Sequence, residues 1–243
     1  MILQPVHGRL TANNCAFILM DYQAQFALTL CSVSTETLIN NATNVAKVAM
    51  TFSIPTMLTT VRATSFGGPL LPKIQEVFPG LNPIDRTTIS AWDDSRVLTT
   101  IEKAGRSKLV VAGLWTDFAV STFVLEALRV GYEVYIVVDA CGDMSARAHR
   151  IAIERMFQEG AVPMTWLQLL LTLHREWASP DIYEVLLHAA EEHARTHGLD
   201  LQYTQVPPDE VQTKLTNDKP KEGRWWKWSI APIRSPKRSQ KRP

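Results

Sequence analysis

The sequence predicts an α/β fold: a three-layer α/β/α sandwich with a mainly parallel, doubly wound sheet. Short apolar runs rich in β-branched residues alternate with longer segments whose apolar residues recur every three or four positions. The runs are too short for buried helices and are apolar throughout, which is typical of parallel strands covered on both faces. Strands that alternate with helices imply right-handed crossovers and a sheet between two helical layers.

In the first half of the chain, two buried strands flank a helix. Cys15 to Met20 ends at Asp21, and the second strand is entered through Pro55. The helix begins after a Ser34 or Thr35 cap, and Gly and Pro then make a lid-like loop region around one short helix. The strands are predicted at 15–20 and 56–61 and near Ile84, the helices at 35–52 and 71–78.

In the second half, glycines mark the predicted helix ends. Asp94 caps a helix that Gly105 closes, and Gly131 and Gly160 close two later helices. The last strand is expected at the sheet edge. The strands are predicted at 109–113, 133–139 and 162–165, and the helices at 94–104, 116 or 117 to 129, 145–158, 166–177 and 180–196.

The chain is organised around residues 108–131, where a buried strand runs directly into a helix. The spacing of Phe118, Thr122, Leu125 and Leu128 predicts one apolar face of this helix. Backbone N–H groups at a helix start are unpaired, and ligands bind beyond the carboxyl ends of parallel strands. We therefore expect the functional site near residues 115–119.

Composition predicts one domain with an appendage. The chain has 243 residues, of which 46% are hydrophobic and 20% charged. It has no apolar run near the roughly 18 residues of a membrane span, no signal-peptide pattern at its start, and three scattered cysteines. These features favour a soluble cytoplasmic protein.

The charge is unevenly distributed. Residues 219–243 hold nine Lys or Arg and one acid, about +8, which leaves about −7 for residues 1–218. We expect a folded domain at 1–198, then a disordered linker and basic, Trp-rich tail at 199–243. Indoles mixed with cations at 224–243 suit an anionic partner, either lipid or nucleic acid. The alternative is a solvated, weakly sticky tail.

Several short motifs lie along the chain between about residues 10 and 190. They are Ile18-Leu19-Met20-Asp21-Tyr22-Gln23, Ile54-Pro55-Thr56-Met57-Leu58-Thr59-Thr60, Gly68-Pro69-Leu70-Leu71-Pro72, Ile89-Ser90-Ala91-Trp92-Asp93, Ala112-Gly113-Leu114-Trp115-Thr116-Asp117, Val138-Asp139-Ala140-Cys141-Gly142 and Met164-Thr165-Trp166. In this register they resemble the isochorismatase-like (cysteine hydrolase) superfamily, most closely its YcaC-like branch.

The resemblance implies a catalytic triad of an aspartate, a lysine or arginine, and a cysteine. Asp21 and Arg86 occupy the first two positions, and Ala119 stands where the family has its nucleophilic cysteine. It also implies a cis peptide bond between Trp115 and Thr116, and an oligomer, which we expect through residues 166–171 and 182–190. No cofactor and no metal are expected. The expected substrate-binding residues are Gln23, Trp92, Trp115, Thr116 and Phe118.

Two functions remain open. The first is a hydrolase of a small molecule in which Asp21 is the general acid or base beside Arg86 and water attacks. The resemblance supports it, because isochorismatases proper also lack the cysteine and protonate a vinyl ether. Burial would raise the pKa of Asp21 and Arg86 would lower it. The second is an inactive pseudoenzyme serving as a ligand-binding or oligomeric scaffold.

Three other residues could attack a substrate. Cys141 follows a strand, but a small buried thiol is its more ordinary role. Ser121 and Thr122 lie on the helix, where their hydroxyls would more often bond to the preceding turn.

Overall fold

The computed structural model describes residues 8–174 as a doubly wound α/β domain, which confirms the predicted fold class. Its six strands form one parallel sheet in the order β3-β2-β1-β4-β5-β6. The strands are β1 (Cys15–Met20), β2 (Thr56–Val61), β3 (Ile84–Arg86), β4 (Lys108–Gly113), β5 (Glu133–Val137) and β6 (Val162–Met164).

Helices cover the sheet in two groups, one built from α2, α3 and α7 and the other from α4, α5 and α6. Right-handed crossovers put the groups on opposite faces, because the chain moves outward from β1 in one direction and then in the other. The helices are α1 (Ala24–Ala27), α2 (Thr35–Thr51), α3 (Pro72–Val77), α4 (Ser95–Ala104), α5 (Ser121–Arg129), α6 (Ala146–Gln158) and α7 (Trp166–Leu173), with 3-10 turns at Ala91–Asp93 and Val138–Ala140 and a π-helical turn at Thr116–Val120.

The caps explain why several helices begin and end where they do. Ser34 accepts a hydrogen bond from the Thr37 amide at the start of α2, and Asp94 accepts one from the Arg96 amide at the start of α4. Gly105 ends α4 in the left-handed conformation that glycine adopts without strain. The predicted helix at 180–196, the tail and the domain boundary at 198 lie outside the described residues.

The start of α5 differs from the sequence-based expectation. The chain leaves β4 through a left-handed Trp115 and a π-helical turn before α5 begins. This wider turn shifts the helical phase, so the predicted apolar face is wrong at Phe118, Thr122 and Leu128, whereas Leu125 is buried as predicted. Phe118 is exposed and Leu128 only half-buried, whereas Val120, Phe123, Val124 and Ala127 face the core.

No helix among the described residues is long and apolar enough to cross a membrane.

Gly113 provides a stability test of the strand pairing that positions the site. A Cβ at Gly113 would lie 2.6 Å from the Met20 carbonyl oxygen and 2.7 Å from the Met20 Cβ, so β1 and β4 would have to separate. We expect Gly113→Ala to lower the free energy of unfolding by about 1–3 kcal/mol in urea titrations followed by circular dichroism. Gly80→Ala is the control, because a Cβ there meets nothing within 4 Å. Equal urea midpoints of unfolding for the two variants would contradict this packing.

Candidate active site

The sheet order creates a crevice between β1 and β4. The strand order reverses there, and in open α/β sheets ligands bind at such a switch point, beyond the carboxyl ends of the strands. Asp21 follows β1 with a positive φ of 55°, and the turn that begins at Leu114 follows β4. The two segments expected to carry chemistry therefore meet at one edge of the sheet.

Asp21 and Arg86 form a buried ion pair. Each is 1% exposed, and an Arg86 Nη2 hydrogen donates to the Asp21 Oδ2. The Thr59 hydroxyl donates to the other carboxylate oxygen at 2.8 Å. Three neighbouring strands, β3, β2 and β1, thus supply the cation, a hydroxyl and the acid.

The rest of the Arg86 guanidinium is held by the backbone that follows β3. Its Nη1 donates to the carbonyl oxygens of Thr88 and Ile89, the latter at 2.9 Å. Its Nε is buried and has no acceptor among the described residues. The guanidinium is therefore fixed in place by bonds from both of its terminal nitrogens.

Burial raises the pKa of the Asp21 carboxyl above its ordinary value. The Arg86 guanidinium and the Thr59 hydroxyl oppose this shift, and burial is the larger effect. A carboxylate with a raised pKa accepts a proton more readily than an ordinary aspartate, which suits a general base.

A small cavity of about 100 Å³ opens beside the ion pair. Asp21, Arg86 and Ala119 all line it, and Ala119 is 5% exposed. Trp115 and Phe118 form part of its wall without filling it. The remaining lining residues are Phe26, Val61, Phe66, Thr87, Thr88, Ile89 and Leu114.

The amide groups at the turn after β4 are already bonded, which overturns the expectation that they are unpaired. The Trp115 carbonyl accepts from the amides of Phe118 at 3.0 Å, of Ala119 at 2.9 Å and of Val120 at 3.5 Å. The Asp117 amide donates to the Asp143 carboxylate at 2.6 Å. The Thr116 amide donates to the Gly142 carbonyl at 3.2 Å.

The expected cis peptide bond between Trp115 and Thr116 is wrong. No cis peptide occurs among the described residues. Trp115 instead adopts φ 57° and ψ 63°, and this left-handed conformation reverses the chain into the π-helical turn.

Three residues expected to contact substrate have other partners and do not line the cavity. Gln23 is buried, and its amide bonds to the backbone of Val61 and Gly68. The Thr116 hydroxyl lies 3.1 Å from the Gly142 carbonyl and 2.9 Å from the His149 Nδ1. Trp92 packs edge-on against Phe123 and Tyr132.

The remaining candidate nucleophiles adopt the ordinary roles predicted for them. Cys141 is buried, and burial raises the pKa of its thiol to about 12. The Ser121 hydroxyl donates to the Asp117 carbonyl at 2.6 Å, and that of Thr122 donates to the Phe118 carbonyl at 2.7 Å. None of the three contributes a nucleophile to the cavity.

Residues 8–174 contain no cluster of three or more His, Cys, Asp and Glu side chains that could hold a metal ion. Burial lowers the pKa of His149, against the opposing effect of Asp143.

Sequence reasoning missed several residues of the site. Thr59 lies within a strand motif, where nothing distinguishes it from Thr60. Phe26 and Phe66 come from a short helix and a loop, and no periodic pattern indicates that they meet.

The doubly wound sheet, with a buried acid and cation at its switch point, defines an α/β protein whose site lies beyond the carboxyl ends of its strands. The chain belongs to the isochorismatase family: the family's "Isochorismatase domain" profile matches residues 15–168.

Relatives of known sequence and structure agree with this assignment. "Probable hydrolase YcaC" of Escherichia coli is 33% identical over 170 residues, which is 70% of this chain and 82% of that protein. The crystal structure of the E. coli YcaC gene product, an octameric hydrolase of unknown specificity, matches with a TM-score of 0.74 and 28% identity, covering 88% of this chain and 98% of that one. YcaC from Pseudomonas aeruginosa, solved with hexane-2,5-diol and covalent acrylamide, also gives a TM-score of 0.74, at 29% identity, covering 87% and 99%.

The ion pair makes a pH-dependent stability prediction. Arg86→Met leaves Asp21 buried without its cation, and losing one partner of a buried pair costs about 3–5 kcal/mol. Because burial raises the pKa of Asp21 in the folded protein, protonation favours folding. We therefore expect the loss of unfolding free energy to be largest near neutral pH and to shrink as the pH falls toward about 4.

Urea titrations at several pH values would measure this loss. Arg129→Met is the matched control, because Arg129 pairs with Glu126 on the surface and should show little effect at any pH. A loss in Arg86→Met that does not change with pH would contradict the proposed coupling between the two side chains.

Proposed function

We propose that this protein hydrolyses a small molecule by using Asp21 as the proton acceptor and donor and water as the nucleophile. The observation that carries the proposal is that Asp21 and Arg86 form a buried pair lining a cavity beside Ala119. The hydrolase names and the 33% identity of the E. coli relative support the general class of reaction.

The proposed steps need only residues of this chain and one water molecule. The Asp21 carboxylate takes a proton from the water as the water oxygen bonds to the substrate carbon. Asp21 then returns the proton to the leaving group as that bond breaks, so the products are an acid and a protonated leaving group. Arg86 keeps the carboxylate ionised between turnovers, and no metal or cofactor takes part.

The small side chain of Ala119 leaves space for the attacking water molecule. The family's nucleophilic sulfur is absent, and the alanine methyl group leaves room in the cavity. Protonation of a vinyl ether, the reaction of isochorismatases proper, is the other proton transfer for which Asp21 is placed. That reaction requires Asp21 to begin protonated, which the raised pKa favours and Arg86 opposes.

One observation favours a second function, that of an inactive scaffold. The amides at the Trp115 turn already have acceptors within the chain, so they are not free to bind an oxyanion. A site without a nucleophile and without these donors would retain ligand binding but lose turnover.

We also propose that the protein is a homo-oligomer, as the octameric E. coli relative is. On α7, Leu167 and Leu171 lie one turn apart, and both are exposed. Their apolar surface supports assembly through this helix, as the sequence predicts.

For the tail at 224–243, which lies outside the described residues, an anionic lipid or nucleic-acid partner remains a proposal based on its basic and indole side chains.

The hydrolase proposal is tested by removing the proton acceptor. Native protein should release product from at least one member of a panel of small amides, esters and vinyl ethers. Asp21→Asn should lower that rate by about 10²–10⁴-fold, because the amide cannot accept the proton. Asp93→Asn is the control, since Asp93 is exposed and does not line the cavity.

Circular dichroism would verify that Asp21→Asn is folded. A folded variant with the native rate would refute the role of Asp21, and absence of turnover by native protein across the panel would favour the scaffold.

A further inference from the structure

The cavity carries no net charge in its resting state. Among its twelve lining residues, Asp21 and Arg86 are the two charged ones, and they neutralise each other. The polar lining is completed by Thr87 and Thr88. A carboxylate entering this space would be desolvated without a cation to balance it, which is costly in a buried site.

The walls of the cavity are aromatic. The ring centroids of Phe26 and Trp115 lie 4.4 Å apart, with 35° between the ring planes. The Phe66 ring packs edge-on against both, with centroid distances of 5.8 Å to Phe26 and 6.3 Å to Trp115. We call Phe26, Phe66 and Trp115 the aromatic wall. Phe66 is 57% exposed, and Ile89 and Phe118 are also exposed at the cavity's edge. Apolar surface therefore continues from the cavity to its mouth.

Gln23 fixes the loop that carries Phe66. Its Nε2 donates to the carbonyl oxygens of Val61 at 3.1 Å and Gly68 at 2.6 Å, and its Oε1 accepts from the Val61 amide at 2.7 Å. One side chain thus joins both ends of the loop at residues 62–67. Gly67 is required for this contact, since a Cβ there would lie 2.3 Å from the Gln23 Nε2. The aromatic wall is therefore held before any ligand arrives.

We propose that this site binds uncharged small molecules with a flat, apolar body and a neutral carbonyl group, and that it rejects carboxylates. The inference rests on the proposed function, because it names the substrate class of the same site. The cavity of about 100 Å³ holds the reacting group, and the flat body lies against the aromatic wall at the mouth. A dicarboxylate such as isochorismate does not fit this charge balance.

Benzamide and benzoate test the proposal, because they share size and shape but differ in charge. Binding to the full-length protein near pH 7.5 is measured by calorimetry and by ligand-observed NMR, without any need for turnover. We expect benzamide to bind at least roughly tenfold more tightly than benzoate, since only benzoate needs an uncompensated charge to be buried. Asp21→Asn leaves Arg86 without its anion and should reverse the preference, whereas Asp93→Asn should not.

A second pair of variants tests the aromatic wall and does not disturb the ion pair. Phe66→Ala should weaken benzamide binding by about three- to tenfold through the lost ring contacts. Phe157→Ala is the matched control, because Phe157 lies on α6 away from the cavity lining and is 61% exposed. This pair keeps the proposal testable if Asp21→Asn does not fold.

Three results would overturn the inference: benzoate binding as tightly as benzamide to native protein, equal effects of Phe66→Ala and Phe157→Ala, or no binding of either probe at millimolar concentration. These results are distinguishable from failure of the proposed hydrolysis. Selective benzamide binding without turnover of any amide or ester would sustain the inference and refute the catalytic role. Turnover that depends on Asp21, together with tight benzoate binding, would refute the inference and sustain the catalytic role.

Discussion

The buried pair between Asp21 and Arg86 is the interaction on which the site depends. Arg86 ends β3, and its guanidinium reaches past β2 to the carboxylate at the end of β1. Two buried charges are tolerated only when each is paired and hydrogen-bonded. Thr59 and the backbone carbonyls after β3 supply the additional bonds. The order of the strands therefore determines where the one buried acid–cation pair of the described sheet can form.

Ala119 determines what this pair is proposed to do. With a cysteine at position 119, the carboxylate would serve a thiol, whereas with Ala119 we propose that it serves a water molecule. At the turn after β4, the Trp115 carbonyl and the Asp143 carboxylate accept hydrogen bonds from the backbone amides. Proton transfer by Asp21 remains possible in this site, whereas stabilisation of an oxyanion by these amides does not. Uncharged walls and a neutral ion pair then favour ligands without charge.

Much of the fold could be predicted from local pattern. The bounds of β1, β2 and β4 follow from apolar runs, and α2 and α4 follow from caps and spacing. The face of α5 could not, because a π-helical turn precedes it and shifts the phase that an ideal helix would keep. Asp21, Arg86 and Ala119 came from motifs at strand ends, and the sheet brings them together. Gln23, Thr116 and Trp92 lie close in sequence to Asp21, Ala119 and Arg86, respectively, but their side chains contact other residues. Position along the chain does not show which way a side chain points.

An open, preformed cavity at position 119, beside the Asp21–Arg86 pair, is the central claim of this account. The most direct test is Ala119→Cys in a Cys31→Ser background, which removes the exposed native thiol. Cys15 and Cys141 stay silent, because burial raises their pKa to about 11 and about 12. Acrylamide, a small uncharged electrophile, is added at pH 7 and adducts are followed by intact mass. The account predicts one adduct, formed faster than on Cys31 of the native protein, because Asp21 accepts the thiol proton. A folded variant that remains unlabelled would contradict it, since position 119 would then be closed to small molecules.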